Sequence, residues 1–504
     1  MKKLTILILI CSLTIQCTFA QNAKLTVNII NSKAKKYTLT DWKLVLRYDY
    51  LNMGDQLVSL KPGNNTQILN LKSPQFFIFS CNEKEKDLSY DLYIRPGDNI
   101  ELSADFSKPD LGLKVTGKGS ENNQPLIGLN KIHTDLQKLY GDSLPGRVLT
   151  LLKKEESEKN ELFTTYLSRY KPSQDFIRDW KINLKYLIPH EYFSFKENNK
   201  YRIAKSYQQT EREWKRIQDS LFKAEYLSND KAFVSDNYKQ LLGDFLSREK
   251  ERLWKLSYSD STAFFKDWYG TTPDKGRPEF KKDMTNLLSE KIINRYFKNK
   301  SAEYLYAVLI ESALEEKNNE NIPEIYLSFK RKFPNSIYLG PIKPHIEEIL
   351  RKQQNTINNK MTFADNNGRE LNTFEEVLAL TKGKTLLLDM WGTWCGPCRQ
   401  EIENNTAAIK KHFKDKGLDY LYIANHDLQN EKKWKSLIPY FNMEGLHILA
   451  NQNLSKDIMD KVKGDGYPTY VIIKSDGSFE LSKAGYPMKR EVLIKQLEEA
   501  LETK

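Results

Sequence analysis

Hydrophobic and polar positions follow different periods in successive parts of this 504-residue chain. Between Leu25 and about Gly119 the apolar runs are short. Leu25, Val27 and Ile29 alternate with polar neighbours, and Pro62-Gly63 and Pro96-Gly97 break the runs. A period of two with turn residues between runs predicts strands, so residues 21–119 read as an antiparallel β-sandwich or small barrel. Phe76-Phe77-Ile78-Phe79 has no alternation and predicts a central strand buried on both faces. Cys81 closes that strand and reads as a small core hydrophobe, because a functional thiol needs an exposed, electropositive setting.

From residue 120 to 352 the period becomes helical. Leu162, Phe163, Tyr166, Leu167 and Tyr170 form one stripe, and Leu305, Val308, Leu309 and Ala313 another. A helical region with breaks near Pro172, Pro273, Pro323 and Pro334 follows. Aromatic stripes at this spacing read as packing, with a ligand groove as the alternative. Residues 353–360 are polar and aperiodic, which predicts a linker. Beyond it, over 361–504, the pattern is α/β. Strands are expected over 385–391, 418–424, 470–473 and 478–481, the last two joined by a turn at Asp476-Gly477. Helices are expected over 395–413, 434–441 and 454–462, with a closing helix that carries Val492, Leu493, Leu497, Ala500 and Leu501 on one face.

The first twenty residues differ from all of this. Lys2 and Lys3 precede an apolar run from Leu4 to Ile15, and Thr18-Phe19-Ala20 places small residues at the recognition positions, so residues 1–20 read as a secretory signal cleaved after Ala20. Lipid anchoring on Cys17 is the competing reading, against which stands the large Gln16 before it. No later stretch approaches the roughly 20 apolar residues of a spanning helix. Removing the signal takes Cys11 and Cys17 and leaves Cys81, Cys395 and Cys398, too few for a disulfide framework. The net charge of +12 is spread along the chain without a concentrated basic block, so solvated faces explain it and nucleic-acid binding is not indicated.

The chemistry lies in Leu387-Leu388-Asp389-Met390-Trp391-Gly392-Thr393-Trp394-Cys395-Gly396-Pro397-Cys398, a buried strand running into a CxxC pair at a helix start. A cysteine at a helix N-terminus meets unpaired backbone N–H groups and the positive end of the helix dipole, which favours thiolate. The thiolate attacks, and Cys398, one turn further in, resolves the mixed disulfide. Pro397 falls in the first turn, where its missing N–H costs nothing. A zinc site would need a second pair of ligands, which His412, His426 and His447 do not supply at regular spacing.

The segment from Met361 to Lys504 resembles thioredoxin and its exported TlpA-like and ResA-like relatives, which are thiol:disulfide oxidoreductases. The resemblance implies a C-terminal thioredoxin-like domain acting on protein thiols and disulfides; no cofactor is expected, and no metal on the ligand spacing above. It implies a cis proline at Pro468, facing the CxxC, with Tyr467 and Thr469 beside it and the Tyr467 backbone open to an extended substrate. It also implies that Asp389 is a buried carboxyl of raised pKa that takes the proton of Cys398. The lysine that partners this aspartate in thioredoxin has no match in Leu421-Tyr422-Ile423-Ala424-Asn425-His426. His426 is then either a participant or a solvated loop residue. Trp394 and Gly396 belong to the expected substrate surface, and Trp391 reads as core packing.

The whole layout, β-rich then helical then TlpA-like, loosely resembles exported proteins of the Gram-negative periplasm. The function that follows is reduction of protein disulfides, with electrons from a membrane-embedded donor. The alternative makes residues 21–354 a module that recruits an envelope client or glycan, with the redox domain as an accessory. Peroxidase chemistry is disfavoured, because Gly392-Thr393-Trp394 lacks the proline and hydroxyl spacing of peroxidatic cysteines.

Overall fold

The computed structural model describes residues 21–502 apart from 49, 62, 84–86, 140–143, 200, 201 and 203. The expected leader, with Cys11 and Cys17, lies outside the described residues. Among the described residues, no helix is long and apolar enough to cross a membrane. By compactness the chain divides into two units, one ending at Gly276 and taking in Lys291–Leu305, the other made of Arg277–Glu290 and the chain from Tyr306 onward.

The first unit opens with β1 (Gln21–Ile30), β2 (Lys36–Asp41), β3 (Asp55–Ser59), β4 (Asn65–Leu71), β5 (Gln75–Asn82), β6 (Asp87–Ile94), β7 (Asn99–Asp105) and β8 (Lys114–Lys118). They form two open four-stranded sheets, ordered β4-β1-β7-β8 and β3-β2-β5-β6, so the barrel alternative is set aside. One expectation is corrected: β1 runs parallel to β7, with Leu25 opposite Ile100 and Val27 opposite Leu102. Alternation reports which face of a strand is buried and says nothing of its direction, and the chain enters the other sheet twice between β1 and β7. β5 is interior, paired with both β2 and β6, and Phe76, Phe77 and Phe79 are buried there. Cys81 is buried at its end, and burial, helped by the charge of Glu83, pushes its thiol up to about 11.

The helices that follow are α1 (Ser120–Leu129), α2 (Pro145–Tyr170), α3 (Gln174–Lys185), α4 (Leu187–Asn199), α5 (Ala204–Leu221), α6 (Asp236–Ser259), α7 (Ser261–Tyr269), α8 (Pro273–Lys282), α9 (Asn286–Tyr296), α10 (Asn299–Glu315), α11 (Ile322–Lys332) and α12 (Leu339–Gln353). Leu126, Leu129, Phe163, Phe176 and Trp180 join the core of the sandwich, so the change of period at residue 120 is not a change of core. Breaks fall just before Pro273 and Pro323, which sit in the first turns of α8 and α11, where the missing N–H is tolerated. The expected stripe on α10 is wider than one face: Tyr304, Tyr306, Ala307 and Ile310 are buried along with Leu305, Val308, Leu309 and Ala313.

The second unit continues with β9 (Met361–Phe363), α13 (Phe374–Leu380), β10 (Thr385–Trp391), α14 (Gly396–His412), β11 (Leu418–Ala424), α15 (Glu431–Tyr440), β12 (Gly445–Leu449), α16 (Gln452–Val462), β13 (Thr469–Ile473), β14 (Phe479–Leu481) and α17 (Arg490–Glu502). One sheet results, ordered β14-β13-β10-β11-β12-β9, with β10, β11, β12 and β9 parallel, β13 antiparallel to β10, and β14 antiparallel to β13. β10 is buried throughout because both faces are covered. Leu386, Leu388 and Met390 point into the layer that holds Phe374 and Val377 of α13 and Leu454 and Ile458 of α16. Leu387 points the other way, to Ile409 of α14 and Leu493 and Leu497 of α17. This alternation sends Asp389, two residues on from Leu387, to the α14 side, between Tyr422 and Tyr470 on the neighbouring strands. β9, α13 and β12 are short and were not legible as periodic segments.

Candidate active site

The loop between β10 and α14 sets the site. Cys395 caps α14, Gly396 and Pro397 form its first positions, and Cys395 and Cys398 are joined by a disulfide with Cα atoms 5.3 Å apart. The backbone N–H of Cys398 donates to Cys395 Sγ at 3.1 Å. The outer sulfur therefore occupies the place of a capping oxygen, receiving an N–H that the helix cannot satisfy itself. Cys398 is fully buried and Cys395 nearly so.

Four braces hold this loop. Cys395 N–H donates to the Gly392 carbonyl at 3.1 Å. The Thr393 N–H and hydroxyl both donate to the buried Asp427 carboxylate at 2.6 Å. Trp394 Nε1 donates to the Asn425 carbonyl at 3.0 Å, and Arg399 donates from Nη1 to the Thr393 carbonyl. A Cβ on Gly392 would come within 2.4 Å of the Trp394 indole nitrogen, so that position has no room for a side chain. Trp394 is half exposed, and its ring meets Tyr467 at 5.8 Å and His426 at 6.0 Å between centroids, both edge to face. The Tyr467–Pro468 peptide bond is cis, directly before Thr469 opens β13. A second cis bond, Tyr486–Pro487, carried no sequence signal.

On the other side of the loop is a pair of acids. Asp389 is buried, its Oδ1 has no hydrogen-bond partner among the described residues, and burial followed by the charge of Glu401 raises its pKa to about 8. Both carboxyls line a cavity of about 20 Å³ with Asn405, Tyr420, Tyr422 and Tyr470, room for about one water. Asn405 Nδ2 donates to Glu401 Oε2 at 2.5 Å and the Met488 N–H to Oε1 at 3.3 Å. Where thioredoxin has a lysine on the neighbouring strand, Tyr422 stands opposite Asp389. Lys410 of α14 lies over the rings of Tyr420 and Tyr422 and donates to the Glu444 carbonyl at 2.8 Å. Burial draws its ammonium down to about 8.

The three histidines considered as ligands are dispersed. His412 pairs with Glu498, His426 flanks Trp394, and His447 is buried, stacked on Tyr422 and bonded through Nε2 to the Met443 carbonyl, with burial lowering its pKa to about 4. Four residues packed about the site were given no role in the sequence reading: Glu401, Arg399, Thr393 and Asp427. Glu401 had a local signal, since it follows Cys398 by three positions and so shares its helix face. Asp427 had none, because its partner Thr393 is 34 residues away.

Residues 383–479 match the sequence model of the thioredoxin-like family, so the C-terminal part of the chain is a thioredoxin-like domain. The chain is 27% identical over 128 residues to an uncharacterised protein of Haemophilus influenzae, covering 25% of this chain and 79% of that one. It is 27% identical over 114 residues to the thiol-disulfide oxidoreductase ResA of Bacillus subtilis, covering 22% of this chain and 57% of ResA, less than two thirds of that relative. Among solved structures, the thioredoxin domain of a thiol-disulfide oxidoreductase from Bacteroides vulgatus aligns at 23% identity over 24% of this chain and 82% of that one, with a TM-score of 0.21.

Proposed function

We propose that this protein is an exported thiol:disulfide oxidoreductase that reduces protein disulfides through Cys395 and Cys398. The observation that carries the reading is the placement of the Cys395 sulfur as acceptor for the Cys398 N–H in the first turn of α14, because the same N–H stabilises a thiolate once the disulfide is reduced. In the forward reaction the Cys395 thiolate attacks one sulfur of a substrate disulfide. A mixed disulfide forms and the other substrate sulfur leaves as a thiolate that takes up a proton. Cys398 then loses its proton, attacks Cys395 Sγ, and releases the second substrate thiolate, leaving the protein oxidised and the substrate carrying both electrons.

Asp389 is the group we assign to receive the Cys398 proton. A carboxyl whose pKa is about 8 exchanges protons with a thiol near neutral pH, which an ordinary carboxylate does poorly. Trp394 and Tyr467 form the surface that meets the substrate, and the Tyr467 backbone before Pro468 is the strand to which an extended peptide adds. Turnover needs the Cys395–Cys398 disulfide to be reduced again, and in an oxidising compartment we assign that to a membrane-embedded dithiol donor. The leader-like residues 1–20 support export.

The test is insulin disulfide reduction by the full chain. Cys395→Ser is expected to abolish it with the fold retained, and Cys398→Ser to accumulate a mixed disulfide with the substrate on Cys395. Retained activity in Cys395→Ser defeats the proposal.

A further inference from the structure

Arg399 follows the CxxC pair and its side chain is almost wholly buried, at 4% exposure. Burying a guanidinium is costly unless its donors are satisfied. Here Nη1 donates to the Thr393 carbonyl and Nε to the Glu316 carbonyl at 3.1 Å. Its neighbour Gln400 donates from Nε2 to the Glu315 carbonyl at 2.8 Å. Glu315 and Glu316 are where α10 ends, and the last carbonyls of a helix have no partners of their own and carry the negative end of the dipole. All of these groups lie in the second unit. Both hydrogen bonds of Arg399 go to neutral oxygens, and among the described residues no carboxylate forms a contact ion pair with it. Its Nη2 lies 3.8 Å from where a Cβ on Gly396 would stand, so the charge sits against the CxxC loop itself.

Asp427 grips the same loop from the other side. It takes the Thr393 N–H and hydroxyl while Arg399 takes the Thr393 carbonyl, so one residue, two before Cys395, is held by opposite charges.

We propose that Arg399 and Asp427 are a pair of positioning residues that clamp Thr393 and set the acidity of Cys395 with opposed signs, Arg399 being anchored on the C-terminus of α10. This deepens the oxidoreductase reading and rests on it for its functional meaning. The cation favours the Cys395 thiolate and the carboxylate opposes it. The other charged or titratable groups packed around the loop are Asp389 and Glu401 on β10 and α14, His426 against Trp394, Lys433 beside Asp427, and Glu316 and Asp283 beside Arg399. The consequence is that a helix outside the thioredoxin-like match at 383–479 helps to fix the reactivity of the dithiol.

The test reads the pH midpoint of Cys395 alkylation in the reduced full-length protein, with the modified peptide identified by mass spectrometry. In Arg399→Gln the midpoint is expected to rise by about one unit, which makes the reaction about tenfold slower at pH values below both midpoints. At pH values above both midpoints the equilibrium with glutathione should move about tenfold towards the disulfide, or about 30 mV for this two-electron couple. Arg399→Lys keeps the charge and is expected to restore the wild-type midpoint. Asp427→Asn keeps the shape and the acceptor, and its midpoint is expected to fall. A folded Arg399→Gln with an unchanged midpoint, an Arg399→Lys shifted as far as Arg399→Gln, or shifts of the same sign in Arg399→Gln and Asp427→Asn would each overturn the proposal. Should Arg399→Gln fail to fold, Asp427→Asn decides alone, a lower midpoint supporting the clamp and an unchanged or higher one refuting it. Failure of the wild type to reduce insulin would strike the oxidoreductase reading and leave these midpoints measurable.

Discussion

Asp389 and Glu401 line one small cavity, and the charge of Glu401 adds to burial in holding the Asp389 carboxyl at a pKa of about 8. The two side chains come from β10 and α14, on either side of the CxxC turn. At neutral pH most of Asp389 is therefore protonated, where an exposed aspartic acid would have lost its proton, and the ionised minority is the form assigned to receive the Cys398 proton.

This has a consequence for stability. A carboxyl whose folded pKa lies above its unfolded value binds its proton more tightly when folded, so stability falls as pH rises between the two values and levels off above the higher one. Asp389 is expected to contribute nothing below about pH 4 and a cost that grows by about 1.4 kcal/mol per pH unit until about pH 8. Denaturant unfolding of the oxidised protein should show Asp389→Asn gaining on wild type across that window. A constant difference from pH 5 to pH 8 would contradict the assignment.

Glu401→Gln removes the like charge and leaves the burial. The Asp389 pKa should fall, and the acidic limb of the pH profile for disulfide exchange should move down by up to about one unit. Stopped-flow reduction of a small disulfide between pH 5 and pH 9 would detect it. An unmoved limb would mean that Asp389 does not handle the proton.

Trp394 is half exposed and touches Tyr467, so its removal should be felt by macromolecular substrates and little by the fold. For Trp394→Ala we expect KM for insulin to rise about threefold to tenfold, equivalent to about 0.7–1.4 kcal/mol of lost contact, with kcat against a small disulfide nearly unchanged. Equal losses on both substrates would place the residue in the chemistry instead.

Gly392→Ala should disturb the same surface from beneath. The added methyl meets the indole nitrogen that bonds Asn425, and overpacking of this kind costs about 1–3 kcal/mol. The melting temperature should fall, and Trp394 fluorescence should change with it.

Cys81 offers an internal control. Its burial and its thiol at about 11 predict no labelling by iodoacetamide at pH 8 in the folded protein, while reduced Cys395 reacts. Both should label once the protein is unfolded, and native labelling of Cys81 would show its strand to open.

Much of the site was legible from residues close together in the chain. The buried strand ending at Trp391, the CxxC, and Pro397 in the first turn lie within about a dozen positions, and strand period, helix start and thiol chemistry are all local properties. The buried carboxyl at Asp389 followed from the resemblance to thioredoxin rather than from any local pattern. The short β9 and β12 were not legible, since three and five residues hold too little periodicity to register. The parallel pairing of β1 with β7 was equally hidden, because an alternating pattern is the same read in either direction.

What the sequence by itself determined about this protein is the reactive pair and the elements that carry it, because backbone periodicity and helix capping act over a few residues. What only the tertiary structure decided is the surroundings of that pair. Arg399 reaches a carbonyl 83 positions back and Thr393 a carboxylate 34 positions on. Such partners are chosen by packing, which brings together groups whose separation along the chain leaves no trace in any local pattern.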